Sequence, residues 1–277
     1  MMAKKNISFI SLLLFASLVF MTLGIATEVS AKDKEVITVA TDAATKPFTY
    51  KDGKTLTGYD IQVLKAIFKN SKQYELKFET VAFPSILSGI DAGRYQIAAN
   101  DYGYSAERAQ KYLFSKAISK SNYALATKGN KGYKQLADLS GKKTQGMSGA
   151  NYMQVLEKWN KKHPKKKPIE ITYASGSTPF TQRLQMLENG QLDFLFYDAI
   201  SLKTAIKEQG YDLKITKLTE KVGDEKDGLE YFIFSDDAKG KELQSYVNKG
   251  LGKLKKSGQL KQLSQKFFEG DFVSSLK

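Results

Sequence analysis

Hydrophobic positions along this chain switch between a period of two and a period near three and a half, and the switches mark out its elements. Glu35-Val-Ile-Thr-Val-Ala40 reads as a buried strand, whereas Asp60-Ile-Gln-Val-Leu-Lys-Ala-Ile-Phe68 carries its apolar residues at helical spacing. Tyr74-Glu-Leu-Lys-Phe-Glu79 alternates as a strand, 85–93 predicts a short helix closing on Gly93, and Tyr95-Gln-Ile-Ala-Ala99 predicts a third strand. After Ala124-Leu-Ala-Thr-Lys128 the grammar restarts with helices near 133–139, 152–160 and 179–189 and strands near 143–146, 169–173 and 192–197. A strand at 230–234 and two amphipathic helices between Lys239 and Phe268, broken at Gly258, finish the chain. Alternating strand and helix predicts a mostly parallel sheet, and two successive α/β segments predict two lobes.

Ahead of these elements, Met1-Met-Ala-Lys-Lys-Asn is a short positive stretch, 7–26 is apolar, and Val29-Ser-Ala31 offers small residues for a signal peptidase. The expectation is a signal peptide over 1–31 and export to the extracellular surface or a periplasm; an uncleaved membrane anchor is the alternative. The chain has no cysteine. A lipid-modified cysteine anchor, disulfides and a cysteine nucleophile are thereby excluded.

Removal of 1–31 leaves 246 residues (277 minus 31), enough for two modest lobes. It also lowers the formal net charge from +14 to +13, because Lys4, Lys5 and Glu28 leave with it. So basic an exported protein is expected to make electrostatic contact with anionic cell wall or membrane surface, solubility alone being the bland alternative. Nucleic acid is not expected: Lys161-Lys-His-Pro-Lys-Lys-Lys167 lacks interleaved aromatics and reads as an exposed loop. The single histidine, His163, sits in that loop, and no nucleophile triad, metal-ligand spacing or cofactor motif stands out. No catalytic residue, metal or cofactor is assigned.

The segment Asn100-Asp-Tyr-Gly-Tyr-Ser-Ala-Glu-Arg108 carries the clearest chemistry. An arginine at the end of a turn of small residues can bond both oxygens of a carboxylate and never loses its charge; pairing with Glu107 at the surface is its alternative role. Ser148, Gly149 and Asn151 precede the helix near Tyr152, where free N–H groups and the positive dipole end favour an anion, unless Ser148 or Asn151 simply caps that helix. A free amino acid also presents an ammonium. Asp198, directly after the strand at 192–197, and Asp42, just past the first strand, are the candidate acceptors, a helix cap being the other role open to Asp198. Phe48, Phe83 and Tyr102 are candidate apolar walls or core, and Gly103 can let the backbone approach a ligand closely.

Ala40-Thr-Asp-Ala-Ala-Thr-Lys-Pro-Phe-Thr-Tyr50, Leu56-Thr-Gly-Tyr-Asp60, Ser105-Ala-Glu-Arg108 with Phe114-Ser115, Gly190-Gln-Leu-Asp193 with Tyr197-Asp198, and Lys253 to Phe267 occur in an order and spacing that resemble the polar amino-acid-binding proteins of bacterial ABC importers. The resemblance implies an α/β, two-lobed type II periplasmic-binding-protein fold with two crossing hinge strands and a ligand cleft between the lobes. It places lobe 1 at 33–123 plus 232–277, lobe 2 at 128–228, and hinges near 124–127 and 229–231. Asn100-Asp-Tyr-Gly103 and Ser148-Gly-Ala-Asn-Tyr152 look most like the cystine-binding branch. The implied protein is a monomer, not an enzyme, that captures a polar amino acid, cystine favoured, for a membrane permease. A surface-retained basic adhesin and a dehydratase-like enzyme of this fold are the alternatives.

Overall fold

The computed structural model describes residues 33–276 apart from 177, 221, 223–225 and 227, so the expected signal segment lies outside the described residues. Among these, no helix is long and apolar enough to cross a membrane. Strand β1 (Glu35–Thr41) runs parallel to β5 (Tyr74–Thr80) on one side and β6 (Ile97–Gly103) on the other. Parallel neighbours require crossovers, supplied by helices α1 (Tyr59–Phe68) and α2 (Phe83–Asp91). The carboxyl ends of β1 and β6 therefore open side by side, where α/β folds place their ligands.

A small antiparallel ribbon of β2 (Ala44–Thr45), β3 (Thr49–Asp52) and β4 (Thr55–Thr57) follows β1. Its strands are too short and polar to show a period, although Asp52-Gly53, with Gly53 at φ 58°, is a hairpin signal.

Strand β14 (Leu229–Ser235) enters the same sheet antiparallel, between β6 and β7 (Tyr112–Phe114), and its start pairs with β8 (Ser119–Lys120). The sheet order is β5-β1-β6-β14-β7. It is mixed rather than mostly parallel, because β14 returns from the other half of the chain without a crossover helix before it. The tail helices α7 (Ala238–Lys256) and α8 (Gln259–Phe268) break at Gly258, whose φ of 76° suits glycine. They bury Leu243, Val247, Leu251, Leu260 and Phe268 against Ile37, Val39, Tyr59 and Leu64.

In the second half, β9 (Tyr123–Lys128) is the centre of an antiparallel sheet with β12 (Leu195–Asp198) and β13 (Leu213–Lys217), and β10 (Lys143–Gly146) pairs in parallel with β11 (Glu170–Tyr173). Helices α4 (Asn151–Lys162), α5 (Phe180–Glu188) and α6 (Ala199–Gln209) cover these strands with cores of their own, Leu125, Met153, Leu156 and Phe196 in one and Ala126, Leu184, Leu187 and Leu195 in the other. The architecture is thus two-lobed α/β.

Two elements differ from the sequence reading. The helix expected near 133–139 is a single 3-10 turn, Leu136–Leu139. The strand expected to stop at Ala99 continues to Gly103, so Asn100 to Gly103 belong to β6 and not to a loop.

Candidate ligand-binding site

Asn100 ties the ends of three strands together. Its Oδ1 accepts from Thr41 Oγ1 at 2.9 Å, the Asp42 backbone N–H at 2.7 Å and Thr49 Oγ1 at 3.1 Å, and its Nδ2 donates to Thr45 Oγ1 at 3.2 Å. At 2 % exposure it is a satisfied buried amide that fixes Asp42 at the cavity wall. The Asp42 carboxylate accepts from the Ala44 N–H and from Thr45 Oγ1, both at 2.8 Å.

The pairing of β6 with β14 shifts register between Tyr231 and Ile233, where the partners on β6 step from Tyr102 to Ala98. This bulge puts Asp101 at φ 52°, and its N–H donates to Asp60 Oδ2 at 3.0 Å. Bulges of this kind re-aim side chains beside functional sites, and here Asn100, Asp101, Tyr102 and Gly103 all line one cavity.

Arg108 lies on the short helix α3 (Ala106–Ala109), capped by Ser105 Oγ. Only 7 % exposed, it stretches from lobe to lobe: one Nη donates to the Gly103 carbonyl at 3.0 Å and to Asn151 Oδ1, and the other donates to the Gly149 carbonyl at 2.7 Å. Its guanidinium sits 4.9 Å from the Tyr102 ring centre. Three of the five N–H donors of the group are used in these bonds. Asn151 Nδ2 donates to the Tyr104 carbonyl. A Cβ at position 103 would come within 2.8 Å of that Nδ2, so a side chain there would force the Asn151 amide to shift.

Helix α4 begins after Ala150, which makes no side-chain cap, so neither Ser148 nor Asn151 caps it. Ser148 and Gly149 are exposed and sit on an adjoining groove that shares Phe83, Tyr102 and Arg108 with the cavity, while Ala150, Asn151 and Tyr152 line the cavity itself. Asp198 does both things open to it: it caps α6 by accepting from the Ser201 N–H at 2.7 Å, and it lines the cavity, its other oxygen accepting from Ser121 Oγ. Phe83 lines the cavity and stacks on Tyr102, with centroids 5.5 Å apart. Phe48 is not part of this group; it is fully buried in the first core, 4.9 Å from the Phe268 ring.

Among the contributors that sequence reasoning missed are Asp101, Phe180, Arg183 and Glu230. Glu230, 3 % exposed, accepts from Ser119 Oγ and is hydrogen-bonded to Asp101. A glutamate inside the apolar run Leu229 to Phe234 was the available signal, since a buried charge demands a partner. Arg183 gave none: on α5 it reads as an ordinary polar-face residue, yet it is 3 % exposed. Its guanidinium lies 4.8 Å from the Phe180 ring and 5.4 Å from the Tyr197 ring.

The cavity carries both acidic and basic groups. Burial, and then the neighbouring carboxylates, push Asp101 and Glu230 well above the usual carboxylate range. Burial raises Asp198 to about 6 against the hydrogen bonds from Ser121 and Ser201 that favour its ionised form. The two arginines, by contrast, have tyrosines as their leading electrostatic neighbours, Tyr102 and Tyr123 for Arg108, Tyr152 and Tyr197 for Arg183. Neither arginine forms an ion pair with a carboxylate among the described residues. One cavity thus holds both cations and acidic groups, with no ion pair between them among the described residues, which complements a zwitterion. Among the described residues no group of three or more His, Cys, Asp or Glu is placed to hold a metal ion.

Residues 37–270 match the model of bacterial extracellular solute-binding proteins, family 3. The L-cystine-binding protein TcyA of Bacillus subtilis is 30 % identical, with 87 % of this chain and 84 % of the relative covered. A solved chain from work on glutathione import in Gram-positive bacteria via GshT and the cystine ABC importer TcyBC of Streptococcus mutans superposes with a TM-score of 0.81 at 35 % identity, covering 88 % of this chain and 98 % of the other. A putative L-cystine ABC transporter protein from Listeria monocytogenes superposes with a TM-score of 0.78 at 26 % identity, covering 88 % and all of its own chain. With a two-lobed fold, a cavity that holds buried arginines and acidic groups, and a family match over almost its whole described length, this chain belongs to the bacterial extracellular solute-binding proteins, family 3.

Proposed function

We propose that the protein is the extracytoplasmic substrate-binding component of an amino-acid ABC importer, that it captures cystine by closure of its lobes, and that the closed form docks on a membrane permease. The observation that carries this reading is the pair of buried arginines, without ion-paired carboxylates among the described residues, in the same cavity as Asp42, Asp101, Asp198 and Glu230. Arg108 takes a ligand carboxylate and the acidic groups take its ammonium. The role is non-catalytic.

The lobes of this proposal are 33–123 plus 232–277 and 128–228. One chain crossing runs through Ser121 and Asn122, between β8 of the first sheet and β9 of the second, slightly ahead of the hinge expected near 124–127. The other enters β14 near Leu229. Motion about these crossings belongs to this reading, because the cavity takes its walls from both proposed lobes, Asn100 and Arg108 on one and Asn151 and Arg183 on the other. Ligand binding to an open form then shifts the population toward closure.

Glutathione is the second reading, favoured by the 35 % identity to the solved chain from the glutathione-import work. The basic surface, +13 after removal of 1–31, supports retention on anionic cell wall or membrane surface alongside transport.

The test is a thermal-shift screen of the chain lacking 1–31 against the twenty amino acids, cystine and glutathione, because a ligand of the folded state raises its Tm. A large shift with cystine supports the reading; a shift with another polar amino acid keeps the importer and replaces the substrate. No shift with any of them rejects it in favour of an adhesin.

A further inference from the structure

If Arg108 alone receives the carboxylate of an ordinary amino acid, the cavity contains one cation too many. Arg183 is 3 % exposed, lines the cavity and has no carboxylate ion-paired with it among the described residues. Its position is fixed by the Phe180 and Tyr197 rings and by hydrogen bonds with the side chains of Tyr152 and Tyr197. Its Nε–H is fully buried and has no hydrogen-bond partner. A buried guanidinium with an unused donor is unfavourable on its own and becomes favourable when an anion arrives, and the donors of a guanidinium fit the two oxygens of a carboxylate. The Tyr102 hydroxyl, beside Arg108, is the second orphaned polar group on the cavity wall. The orphans therefore occur one beside each arginine, as two anion positions would require.

We infer that Arg183 is a second carboxylate-binding arginine, so that the ligand of this site carries two carboxylates, one for Arg108 and one for Arg183, together with an ammonium that faces the acidic residues. The inference rests on the proposed reading of the cavity as an amino-acid site and deepens it by naming the residue that separates dicarboxylate from monocarboxylate ligands. Phe180, Tyr152 and Tyr197 then act as positioning residues, holding the guanidinium flat. Two kinds of molecule share this chemistry, a bis-amino acid such as cystine and a peptide such as glutathione.

Calorimetric titration of the chain lacking 1–31 separates the outcomes. The probes are cystine, glutathione, the mixed disulfide of cysteine with cysteamine, which keeps the disulfide and both ammonium groups but has one carboxylate, and glutamine. The expected result is that cystine or glutathione binds about 100-fold more tightly than the mixed disulfide or glutamine. Arg183→Gln is expected to remove most of that advantage, while affinity for the mixed disulfide changes far less. Arg183→Lys, which keeps the charge and loses the planar donors, falls between, and unfolding of each ligand-free variant shows whether it is folded. Whichever of cystine and glutathione binds identifies the source of the second carboxylate. Equal weakening of dicarboxylate and monocarboxylate ligands by Arg183→Gln overturns the inference, since that is what a purely structural arginine does. Tight binding of glutamine with none of cystine or glutathione also overturns it and spares the amino-acid-binding reading. No binding of any probe by the unaltered protein overturns both.

Discussion

The guanidinium of Arg108, which follows β6, donates to the Gly149 carbonyl, which precedes α4, across 2.7 Å. The same side chain holds Asn151. The arginine proposed to bind carboxylate is therefore also the tie that draws the start of α4 onto the end of β6. A ligand carboxylate competes with these carbonyl and amide acceptors, and it has the advantage of charge.

The closeness of this contact makes Gly103 a sensitive position. A Cβ there would meet Asn151 Nδ2 at 2.8 Å. Gly103→Ala is expected to push α4 away and weaken ligand binding by about 10-fold, a penalty of the size of mild overpacking. Thermal unfolding of the ligand-free variant should change little; a variant that binds as tightly as the original protein shows that closure does not bring Asn151 this near.

Phe48 supports the fold and not the site. It packs 4.9 Å from Phe268, which in turn lies 4.5 Å from Tyr59. Phe48→Leu should lower the free energy of unfolding by about 1–2 kcal/mol and leave the ligand Kd unaltered. A changed Kd at equal folded fraction would place Phe48 in the binding machinery after all.

A pH dependence follows from Asp60. Burial raises its pKa to about 7 from an ordinary 3.8, against the hydrogen bond from the Asp101 N–H, and Asp42 adds to the rise. The folded protein thus holds this proton to higher pH than the unfolded chain does. The stabilising effect of that proton is complete below about pH 4 and is lost as pH rises toward 7. Asp60→Asn cannot titrate, so its stability relative to the original protein should climb by up to about 1.4 kcal/mol per pH unit across that window. Denaturant unfolding at pH 4, 5.5 and 7 reads this directly, and a constant difference contradicts it.

Surface ion pairs connect the proposed lobes. Lys46 meets Glu208 at 2.6 Å, and Glu269 meets Lys207 at 2.6 Å and Lys203 at 3.7 Å. All five side chains are more than a third exposed, so each pair contributes little and is screened by salt. Glu269→Gln should weaken ligand binding about two- to fivefold at low ionic strength and by less at high ionic strength. The same loss at both salt concentrations argues against an electrostatic latch.

The regular elements were legible because burial imposes a period on them: β1, α1, β5 and α7 each pack an apolar face against a core, and their spacing records it. The short ribbon β2–β4 and edge strand β13 left little trace, since Leu213-Lys-Ile-Thr-Lys217 buries one side chain in five. In the site, Arg108 and Asp198 were readable from their places beside strand ends. Arg183 was not, because nothing in Phe-Thr-Gln-Arg-Leu-Gln says that Tyr152 and Tyr197, one before and one after it in sequence, will enclose its guanidinium. Glu230 shows the intermediate case, conspicuous within its apolar strand but given meaning only by the return of β14 alongside Asp101.

The central claim is that Arg108 holds a ligand carboxylate inside a cavity that closes on an amino acid. Its most direct test is calorimetric titration of the original protein and of Arg108→Ala with cystine, side by side, with circular dichroism to show that both are folded. The account predicts saturable binding by the original protein and a loss of at least about 100-fold in the variant. Equal affinity in two folded proteins would contradict it.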